Sequence, residues 1–128
     1  MYKLIATDFD DTLLTDEKKV SKYTKKTLLK LKNNGYFIVG ASARPLDVVK
    51  TFLDINIFDY ILINNGTAIY DVSNGVTNIL NQIDITLAES IKEKYKGIYS
   101  NIVYCSYDNY YVDRYDDKYP SIKNIILD

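Results

Sequence analysis

The sequence predicts an α/β fold built on a parallel sheet. Three short apolar runs, at residues 4–6, 36–41 and 60–63, are separated by stretches in which apolar residues recur at helical spacing. Strands that alternate with helices in this way favour right-handed crossovers and a parallel sheet with helices on both faces. Ligands bind such sheets beyond the carboxyl ends of the strands, so the polar residues that follow each run form the candidate site.

A polar loop separates the first strand from the first helix. The apolar run at 4–6 is too short for a helix and leads into the polar segment 7–16. The helix that follows is predicted to begin at Ser21, a suitable N-cap, and to end near Asn34. Gly35 comes next, where a left-handed residue commonly ends a helix.

A second helix and a third strand complete the parallel unit. Pro45 suits the first turn of the second helix. The apolar stripe that predicts this helix consists of Val48, Val49, Phe52 and Leu53. Polar residues follow the three strands at 8–11, 42–44 and 64–66. We therefore expect these three groups to face one ligand.

After residue 67 the pattern becomes antiparallel. Apolar runs at 68–72 and 76–80 flank Asn74-Gly75, a dipeptide that favours a tight type I′ hairpin. The segment from Thr86 to Glu89 is a capping-box sequence that opens a third helix, and Gly97 is expected to close it.

A second hairpin is predicted near the end of the chain, with strands at 101–106 and 110–115 and a turn at Asp108-Asn109. A domain boundary is expected between residues 81 and 85. The sequence thus predicts a Rossmann-like α/β unit at residues 1–82, followed by an α+β unit at 83–128.

Composition limits the partners of this 128-residue chain. Its hydrophobic content of 47% is ample for a packed core, and 16 basic against 17 acidic residues leave a net charge of −1. That charge provides no broad positive field, so we expect neither nucleic acid nor a membrane as a partner. No apolar run is long enough for a membrane span or a signal peptide, so we expect a cytoplasmic protein.

The chain contains no histidine and one cysteine. The absence of histidine excludes Ser-His-Asp and Cys-His catalysis and histidine zinc sites. A lone cysteine in an apolar and aromatic strand is usually a core residue, so we assign Cys105 no role. Any chemistry has to use carboxylates, hydroxyls, amides and lysines.

Two carboxylates, Asp8 and Asp10, leave the first strand two residues apart. This arrangement suits metal-assisted phosphoryl transfer. Mg²⁺ normally uses one or two carboxylates together with substrate phosphate, and a carboxylate can attack phosphorus to form an acyl phosphate. A lone D-x-D is a weak signal, however, and the alternative is an acidic loop without chemistry.

Two longer motifs carry a family resemblance. The segment D-F-D-D-T-L-L at 8–14 resembles the first motif of the haloacid dehalogenase superfamily, and A-S-A-R-P at 41–45 resembles its second. The likeness is greatest to the Cof-type branch, which has a large cap after the third strand, because I-N-N-G-T-A at 63–68 resembles its Asn-Gly segment. The resemblance implies that residues 1–82 form the first half of a Rossmann-like core and that residues 83–128 form part of an α+β cap. It also implies a magnesium-dependent phosphatase that hydrolyses a small phosphorylated metabolite.

The resemblance also implies roles for individual residues. Asp8 attacks phosphorus and shares the Mg²⁺ ion. Asp10 protonates the leaving oxygen, then activates the water that hydrolyses the aspartyl phosphate, while its backbone carbonyl binds the metal. The candidate substrate-binding residues are Thr12, Ser42, Arg44 and Asn65. Ser42 would donate a hydrogen bond to a phosphoryl oxygen.

Three of these assignments have structural alternatives. The Ser42 hydroxyl could instead cap the helix that begins at Pro45, and Arg44 could form a structural ion pair. Asn65 could simply belong to an Asn-Gly turn. Ala43 stands where this branch usually has glycine, which denies the loop a free choice of positive φ.

The later motifs of the superfamily, a lysine and a pair of acids, do not follow the predicted cap. Asp113, Asp116 and Asp117 are interpreted as solvated hairpin charges and not as substitutes. The Mg²⁺ site is therefore expected to be incomplete, and the chain to be a fragment, a truncated product or half of a split or swapped assembly. The first strand would then be a bare apolar edge open to self-association.

The sequence leaves two other functions as alternatives. A phosphoacceptor signalling domain should carry its acceptor Asp at the end of the third strand, where this chain has Asn64-Asn65-Gly66. A non-catalytic fragment or interaction module of the same family is the stronger alternative. The tyrosines of the cap portion are either strand residues or the lining of a substrate pocket; they are Tyr95, Tyr99, Tyr104, Tyr107, Tyr110, Tyr111, Tyr115 and Tyr119.

Overall fold

A computed structural model describes residues 3–99 and 102–112 of the chain. The helices are α1 (Lys22–Asn33), α2 (Leu46–Lys50) and α3 (Ile85–Tyr95). The strands of the larger sheet are β1 (Leu4–Asp8), β2 (Phe37–Ala41), β3 (Tyr60–Ile63), β4 (Ala68–Asp71) and β5 (Val76–Ile79). The strands of a separate hairpin are β6 (Val103–Cys105) and β7 (Tyr110–Val112).

The larger sheet has the order β1-β2-β3-β4-β5. β1, β2 and β3 are parallel, whereas β4 and β5 are added antiparallel to β3. The predicted α/β class and its parallel half-core are confirmed, and the first hairpin extends the same sheet. In the described part of the chain β1 pairs only with β2, so β1 forms an edge of the sheet, and Leu4 is 59% exposed.

The core packs against one face of this sheet and includes the fully buried side chains of Phe9, Ile38, Val49, Ile57, Phe58, Ile61 and Ile63. The rings of Phe9 and Phe58 lie 5.3 Å apart in a tilted arrangement. Gly40 in β2 leaves the space that the Phe9 ring fills. Phe9 therefore anchors the chain directly after β1.

α1 has the ends that the sequence predicts. The Ser21 hydroxyl accepts the Thr24 N–H at 3.0 Å, and Gly35 follows the helix with a φ of +79°. Leu28 is buried against the core. An ion pair of 2.6 Å from Lys25 to Asp54 also ties the helix to the segment that precedes β3. α1 thus forms the crossover between the first two parallel strands.

The predicted type I′ turn at Asn74-Gly75 is wrong. Asp71 pairs with Val76, so four residues connect β4 and β5, and of these only Gly75 has a positive φ. The Asp71 carboxylate accepts the N–H groups of Ser73 and Asn74. This side-chain-capped turn replaces the two-residue turn because Asp71 competes for the same backbone donors.

Two helix starts also differ from the sequence prediction. Pro45 is the N-cap of α2 and lies just before its first turn, and α2 ends at Lys50, before the last two residues of the predicted stripe. α3 begins after Asp84, whose carboxylate accepts the Thr86 N–H at 2.9 Å. An aspartate caps a helix as well as a threonine does, so α3 starts before the predicted capping box.

The second hairpin turns where the sequence predicts, because the Ser106 N–H donates to the Asn109 carbonyl at 2.9 Å. The outer parts of its predicted strands lie outside the described residues, as do Asp113, Asp116, Asp117, Tyr115 and Tyr119. The division into a core at 1–82 and a cap at 83–128 stays a prediction. None of the helices in the described ranges is both long enough and apolar enough to cross a membrane.

The packing of Phe9 on Gly40 gives a stability prediction. A Cβ atom on Gly40 would lie 2.5 Å from Phe9 Cε1 and closer still to Phe9 Cζ. Gly40→Ala is therefore expected to lower the free energy of unfolding by about 1 to 3 kcal/mol, the usual cost of overpacking a core. Urea denaturation followed by circular dichroism measures this change.

The double variant Phe9→Leu with Gly40→Ala is the control, because a smaller side chain at residue 9 relieves the clash. The cost of Gly40→Ala should be smaller in the Phe9→Leu background than in the wild type. Equal costs in both backgrounds would show that the two residues do not compete for this space.

Candidate active site

A tight loop holds the first two acids at the carboxyl end of the sheet. Asp8 is the last residue of β1 and pairs with Ala41 of β2. Phe9 is buried, and the loop closes when the Leu14 N–H donates to the Phe9 carbonyl at 3.0 Å. Because the buried Phe9 stands between them, Asp8 and Asp10 leave the core on the side where ligands reach such sheets.

The Asp8 carboxylate is exposed and makes no hydrogen bond or ion pair with any of the described residues. Both of its oxygens are therefore available to a ligand. An ionised carboxylate without a cation or N–H partner keeps its electron pairs free for attack or for metal binding.

Asp10 is in the opposite situation. Arg44 Nε and Nη2 donate to its two carboxylate oxygens at 3.0 and 3.1 Å, and Lys18 Nζ lies 3.1 Å from Oδ1. The hydrogen bonds from Arg44, with a smaller contribution from Lys18, lower the pKa of Asp10 below its usual value. Asp10 is thus held as a carboxylate by two cations.

Arg44 forms the ion pair that the sequence left as an alternative to a substrate contact. Its guanidinium makes the bidentate contact with the Asp10 carboxylate, called the Arg44 fork below. The same guanidinium lies 5.3 Å from the centre of the Phe52 ring. Both contacts fix the Arg44 side chain beside the loop that follows β1. A phosphoryl group that reached Asp8 would therefore find Arg44 already engaged.

Ser42 is buried at the end of β2, and its hydroxyl oxygen accepts the Arg44 N–H at 3.1 Å. The hydroxyl does not cap α2, whose N-cap is Pro45, so that alternative is wrong. Since Oγ accepts from Arg44, its own hydrogen remains available to donate. Ala43 is not among the described residues with a positive φ, so alanine causes no backbone strain there.

Three consecutive residues with positive φ follow β3: Asn64 at 51°, Asn65 at 56° and Gly66 at 83°. The Asn64 N–H donates to the Arg44 carbonyl at 3.2 Å, and the Asn65 N–H donates to the Ser42 carbonyl at 3.3 Å. These bonds join the end of β3 to the Ser42–Arg44 loop. The Asn65 side chain is exposed and makes no hydrogen bond in the described part of the chain.

The sequence did not predict a role for Asn64, which is buried. Its amide nitrogen donates to the Ser106 carbonyl at 2.5 Å, and the Cys105 thiol donates to its Oδ1 at 3.0 Å. A pair of asparagines before a glycine signals left-handed backbone, but it does not tell which of the two is buried. That depends on the hairpin, which is distant in sequence.

The β6–β7 hairpin contacts the start of α2. The N–H groups of Leu46 and Asp47 donate to the carbonyls of Tyr107 and Asp108, each at 3.0 Å. Tyr110 lies close enough to Arg44 and Asp10 for their charges to act on its hydroxyl, and burial is the main cause that raises the pKa of Tyr110. The hairpin therefore borders the site.

Cys105 is exposed, so its interpretation as a core residue is wrong. Its thiol nevertheless faces Asn64, and partial burial raises the pKa of Cys105. Thr12 is exposed on the loop after β1 and makes no side-chain hydrogen bond among the described residues. The structure thus links Asp10, Ser42 and Arg44 directly, and leaves Asp8, Thr12 and Asn65 unengaged.

The donor set fits Mg²⁺ only as an ion that keeps much of its water. Within residues 3–99 and 102–112 there is no group of three or more Asp, Glu, His or Cys side chains that could hold a metal. Asp8 offers a free carboxylate, whereas the carboxylate of Asp10 is neutralised by Arg44 and Lys18. One carboxylate with peptide oxygens, water and phosphate is a ligand set that Mg²⁺ accepts.

Comparison with known proteins agrees with the motifs. The sequence model of haloacid dehalogenase-like hydrolases matches residues 5–126. A candidate phosphatase of Buchnera aphidicola (subspecies Schizaphis graminum) is 38% identical over 97 residues, which make up 74% of this chain and 35% of that protein. The chain thus spans only about a third of the length of this curated relative.

Solved structures show the same fold. A haloacid dehalogenase-like hydrolase from Bacteroides thetaiotaomicron aligns with a TM-score of 0.80 at 22% identity, covering 99% of this chain and 52% of that chain. A subclass IIB sugar phosphatase aligns with a TM-score of 0.74 at 16% identity, covering 97% and 52%. At these identities the likeness concerns the fold alone.

The Arg44 fork predicts a pKa change at Asp10. Replacing Arg44 by methionine removes the main cause of the lowered value, so the pKa of Asp10 should rise. Lys18→Met is the matched control and should raise it less. Carbon-detected NMR titration of the Asp10 carboxyl group measures both, and a larger rise in Lys18→Met would contradict the assignment.

The same interaction fixes the pH dependence of stability. Because the folded-state pKa of Asp10 lies below the ordinary 3.8, the interaction stabilises the fold above pH 3.8 and is lost as pH falls through the lower value. As the pH falls from 3.8 through the lower pKa of folded Asp10, the free energy of unfolding should decrease more in the wild type than in Arg44→Met. Urea denaturation at each pH measures this difference.

Proposed function

This chain belongs to the haloacid dehalogenase-like hydrolase family, and from that premise we propose that it carries the nucleophile of a magnesium-dependent phosphatase. The observation that carries the proposal is the Asp8 carboxylate at the carboxyl end of β1, which has no partner among the described residues. A nucleophile has to be accessible, and Asp8 is exposed.

In the first step the Asp8 carboxylate attacks the phosphorus of a phosphate monoester. A bond forms between Asp8 Oδ and phosphorus, the ester P–O bond breaks, and the alcohol leaves with a proton that Asp10 donates. In the second step the oxygen of a water molecule attacks phosphorus and the bond between phosphorus and Asp8 Oδ breaks. Asp10 takes a proton from that water, and inorganic phosphate and the Asp8 carboxylate are released. Both steps place negative charge on the phosphoryl oxygens, toward which the Ser42 hydroxyl can donate.

A Mg²⁺ ion would be held by the Asp8 carboxylate and the Asp10 backbone carbonyl, and would neutralise phosphoryl charge. The protein's own cations contribute to the same end. Lys18 and Arg44 both stand at Asp10, and so provide positive charge beside the position where the phosphoryl group binds. Thr12 and Asn65 offer further hydrogen-bond donors at the exposed rim.

Asp10 serves more readily as a base than as an acid in this arrangement. The Arg44 fork favours its ionised form, which can accept a proton from the water that attacks in the second step. Donating a proton to the leaving oxygen requires protonated Asp10, and that form loses the attraction of Arg44. The acid step therefore needs the fork to loosen.

The substrate class that we propose is a small phosphorylated metabolite of the Cof-type phosphatases. Support comes from the motifs at 8–14 and 41–45 and from the fold that the chain shares with a sugar phosphatase. The proposed contacts of Arg44, Ser42 and Asp8 are all with the phosphoryl group, which every phosphate ester has. Recognition of the rest of the substrate then falls to residues of the cap.

A non-catalytic fragment or interaction module is the second candidate. One observation favours it: the Asp10 carboxylate is neutralised by Arg44 and Lys18. In that case Asp8 would remain accessible but no aspartyl phosphate would form. The activity assay separates the two functions.

Magnesium-dependent hydrolysis of p-nitrophenyl phosphate tests the nucleophile. Asp8→Asn should lower turnover by at least about a thousandfold, the scale of losing a covalent catalyst. Asp11→Asn is the matched control, because Asp11 lies in the same loop with 95% of its side chain exposed, and it should stay near wild type.

Mass spectrometry of acid-quenched protein adds an independent readout. A phosphoryl adduct is expected on the wild type and on Asp11→Asn, and none on Asp8→Asn. If all three proteins are inert and unmodified, the non-catalytic function is correct for this chain. If Asp8→Asn turns over as fast as wild type, Asp8 is not the nucleophile.

We also propose that the chain self-associates along β1. Within residues 3–99 and 102–112 the strand has a partner on one side only, and its exposed residues include the apolar Leu4. An unpaired edge of this kind is a template for another strand. The partner that we propose is β1 of a second copy. Both copies would then satisfy backbone groups that are otherwise left to water.

Sedimentation velocity across a range of protein concentrations tests this association. The wild type should shift from monomer toward dimer as concentration rises. Leu4→Lys places a charge on the edge and should keep the chain monomeric. Tyr23→Lys, at an exposed site on α1, controls for added charge alone. A wild type that stays monomeric throughout would refute the association.

A further inference from the structure

Two segments that are far apart in sequence meet at Asn64. They are the Ser42–Arg44 loop and the β6–β7 hairpin. The backbone N–H of Asn64 donates to the Arg44 carbonyl, and its side chain contacts Ser106 and Cys105 of the hairpin. Asn64 thus touches the candidate site through its backbone and the hairpin through its side chain.

The β6–β7 hairpin supplies hydrogen-bond acceptors to the first N–H groups of α2. The first N–H groups of a helix have no partner within the helix, and Pro45 offers no side-chain cap. The carbonyls of Tyr107 and Asp108 accept the N–H groups of Leu46 and Asp47 instead. These two hydrogen bonds exist only while the hairpin is docked.

The side chain of Asn64 holds that docked position. In the described part of the chain, both side-chain hydrogen bonds between the hairpin and the first 84 residues are made by Asn64. Its amide donates from the nitrogen and accepts at the oxygen at the same time. Its φ of +51° also suits asparagine better than most residues, so a longer or branched side chain would not fit equally well.

We propose that Asn64 is a positioning residue that makes hairpin docking and the placement of Arg44 beside Asp10 one coupled event. The proposal deepens the proposed function, on which its catalytic meaning rests. When the hairpin is docked, the Asn64 N–H holds the Arg44 carbonyl and the guanidinium reaches Asp10. When the hairpin lifts, the start of α2 loses its acceptors and the adjoining loop loosens with it.

The coupling gives the hairpin a function in the reaction. Undocking would release the Asp10 carboxylate from the Arg44 guanidinium, and docking would restore that contact. A residue in the core thereby links the state of the cap to the state of the reacting carboxylate. Asn64 acts through Arg44 and does not touch the substrate.

Hydrogen exchange measured by NMR, without Mg²⁺ or substrate, tests the proposal. Asn64→Gly keeps the left-handed backbone and removes the amide. The N–H groups of Leu46 and Asp47 and the Arg44 Nε–H should then exchange about tenfold faster, the effect of losing roughly one net hydrogen bond. Asn65→Gly is the matched control, since Asn65 has a φ of +56° and no side-chain partner among the described residues.

Each outcome decides the proposal. Wild-type exchange at Leu46 and Asp47 in Asn64→Gly shows that Asn64 does not hold the hairpin. Faster exchange there with unchanged Arg44 Nε–H shows a purely local contact, which also overturns the coupling. Faster exchange at all three sites, with the N–H of buried Ile61 unchanged, supports it.

Asn64→Asp covers the case in which Asn64→Gly unfolds. Aspartate tolerates the same backbone and keeps the acceptor for Cys105, but it presents a carboxylate oxygen to the Ser106 carbonyl. Exchange at the three sites should again be faster than in the wild type, and unchanged exchange would overturn the proposal. Because no turnover is measured, failure of the phosphatase proposal would not affect these results.

Discussion

Burial of Phe9 is the constraint on which the candidate site depends. The ring fills the space that Gly40 leaves and contacts Phe58, so the chain cannot move away from the sheet between Asp8 and Asp10. Interior packing is dense enough that a single atom added here has no room. The acids on either side of Phe9 are consequently held at the end of β1 by apolar packing and strand pairing, and among the described residues no side-chain hydrogen bond or ion pair fixes the Asp8 carboxylate.

Charge then distinguishes two acids that the packing treats alike. Asp10 receives a bidentate guanidinium and a lysine, whereas Asp8 receives neither. A forked contact of this kind is stronger and more directional than a single charge nearby. The different roles proposed for Asp8 and Asp10 follow from this asymmetry, because a nucleophile has to be free and a proton carrier has to be tuned by its neighbours.

Local features were predictable from the sequence and long-range contacts were not. Ser21 and Gly35 fix the ends of α1 through bonds within a few residues, and the order of strand and helix follows from apolar runs. The fork between Asp10 and Arg44 spans 34 positions and depends on the register of β1 and β2. Asn64 was missed for the same reason, since its partners lie 41 and 42 positions away on another hairpin. The predicted turn at Asn74-Gly75 was wrong because the Asp71 side chain competes for backbone N–H groups. A prediction from the Asn-Gly dipeptide alone does not include that competition.

Asp8 closes an edge strand, so any chain that pairs with β1 also approaches the open side of the site. The proposed assembly and access to Asp8, the proposed nucleophile, are therefore linked by mass action, because the fraction of paired edges depends on the total concentration of the protein. If a paired edge completes the site, turnover per molecule increases with concentration; if it blocks the site, turnover decreases. The specific activity of such a chain is then a property of the solution as well as of the fold.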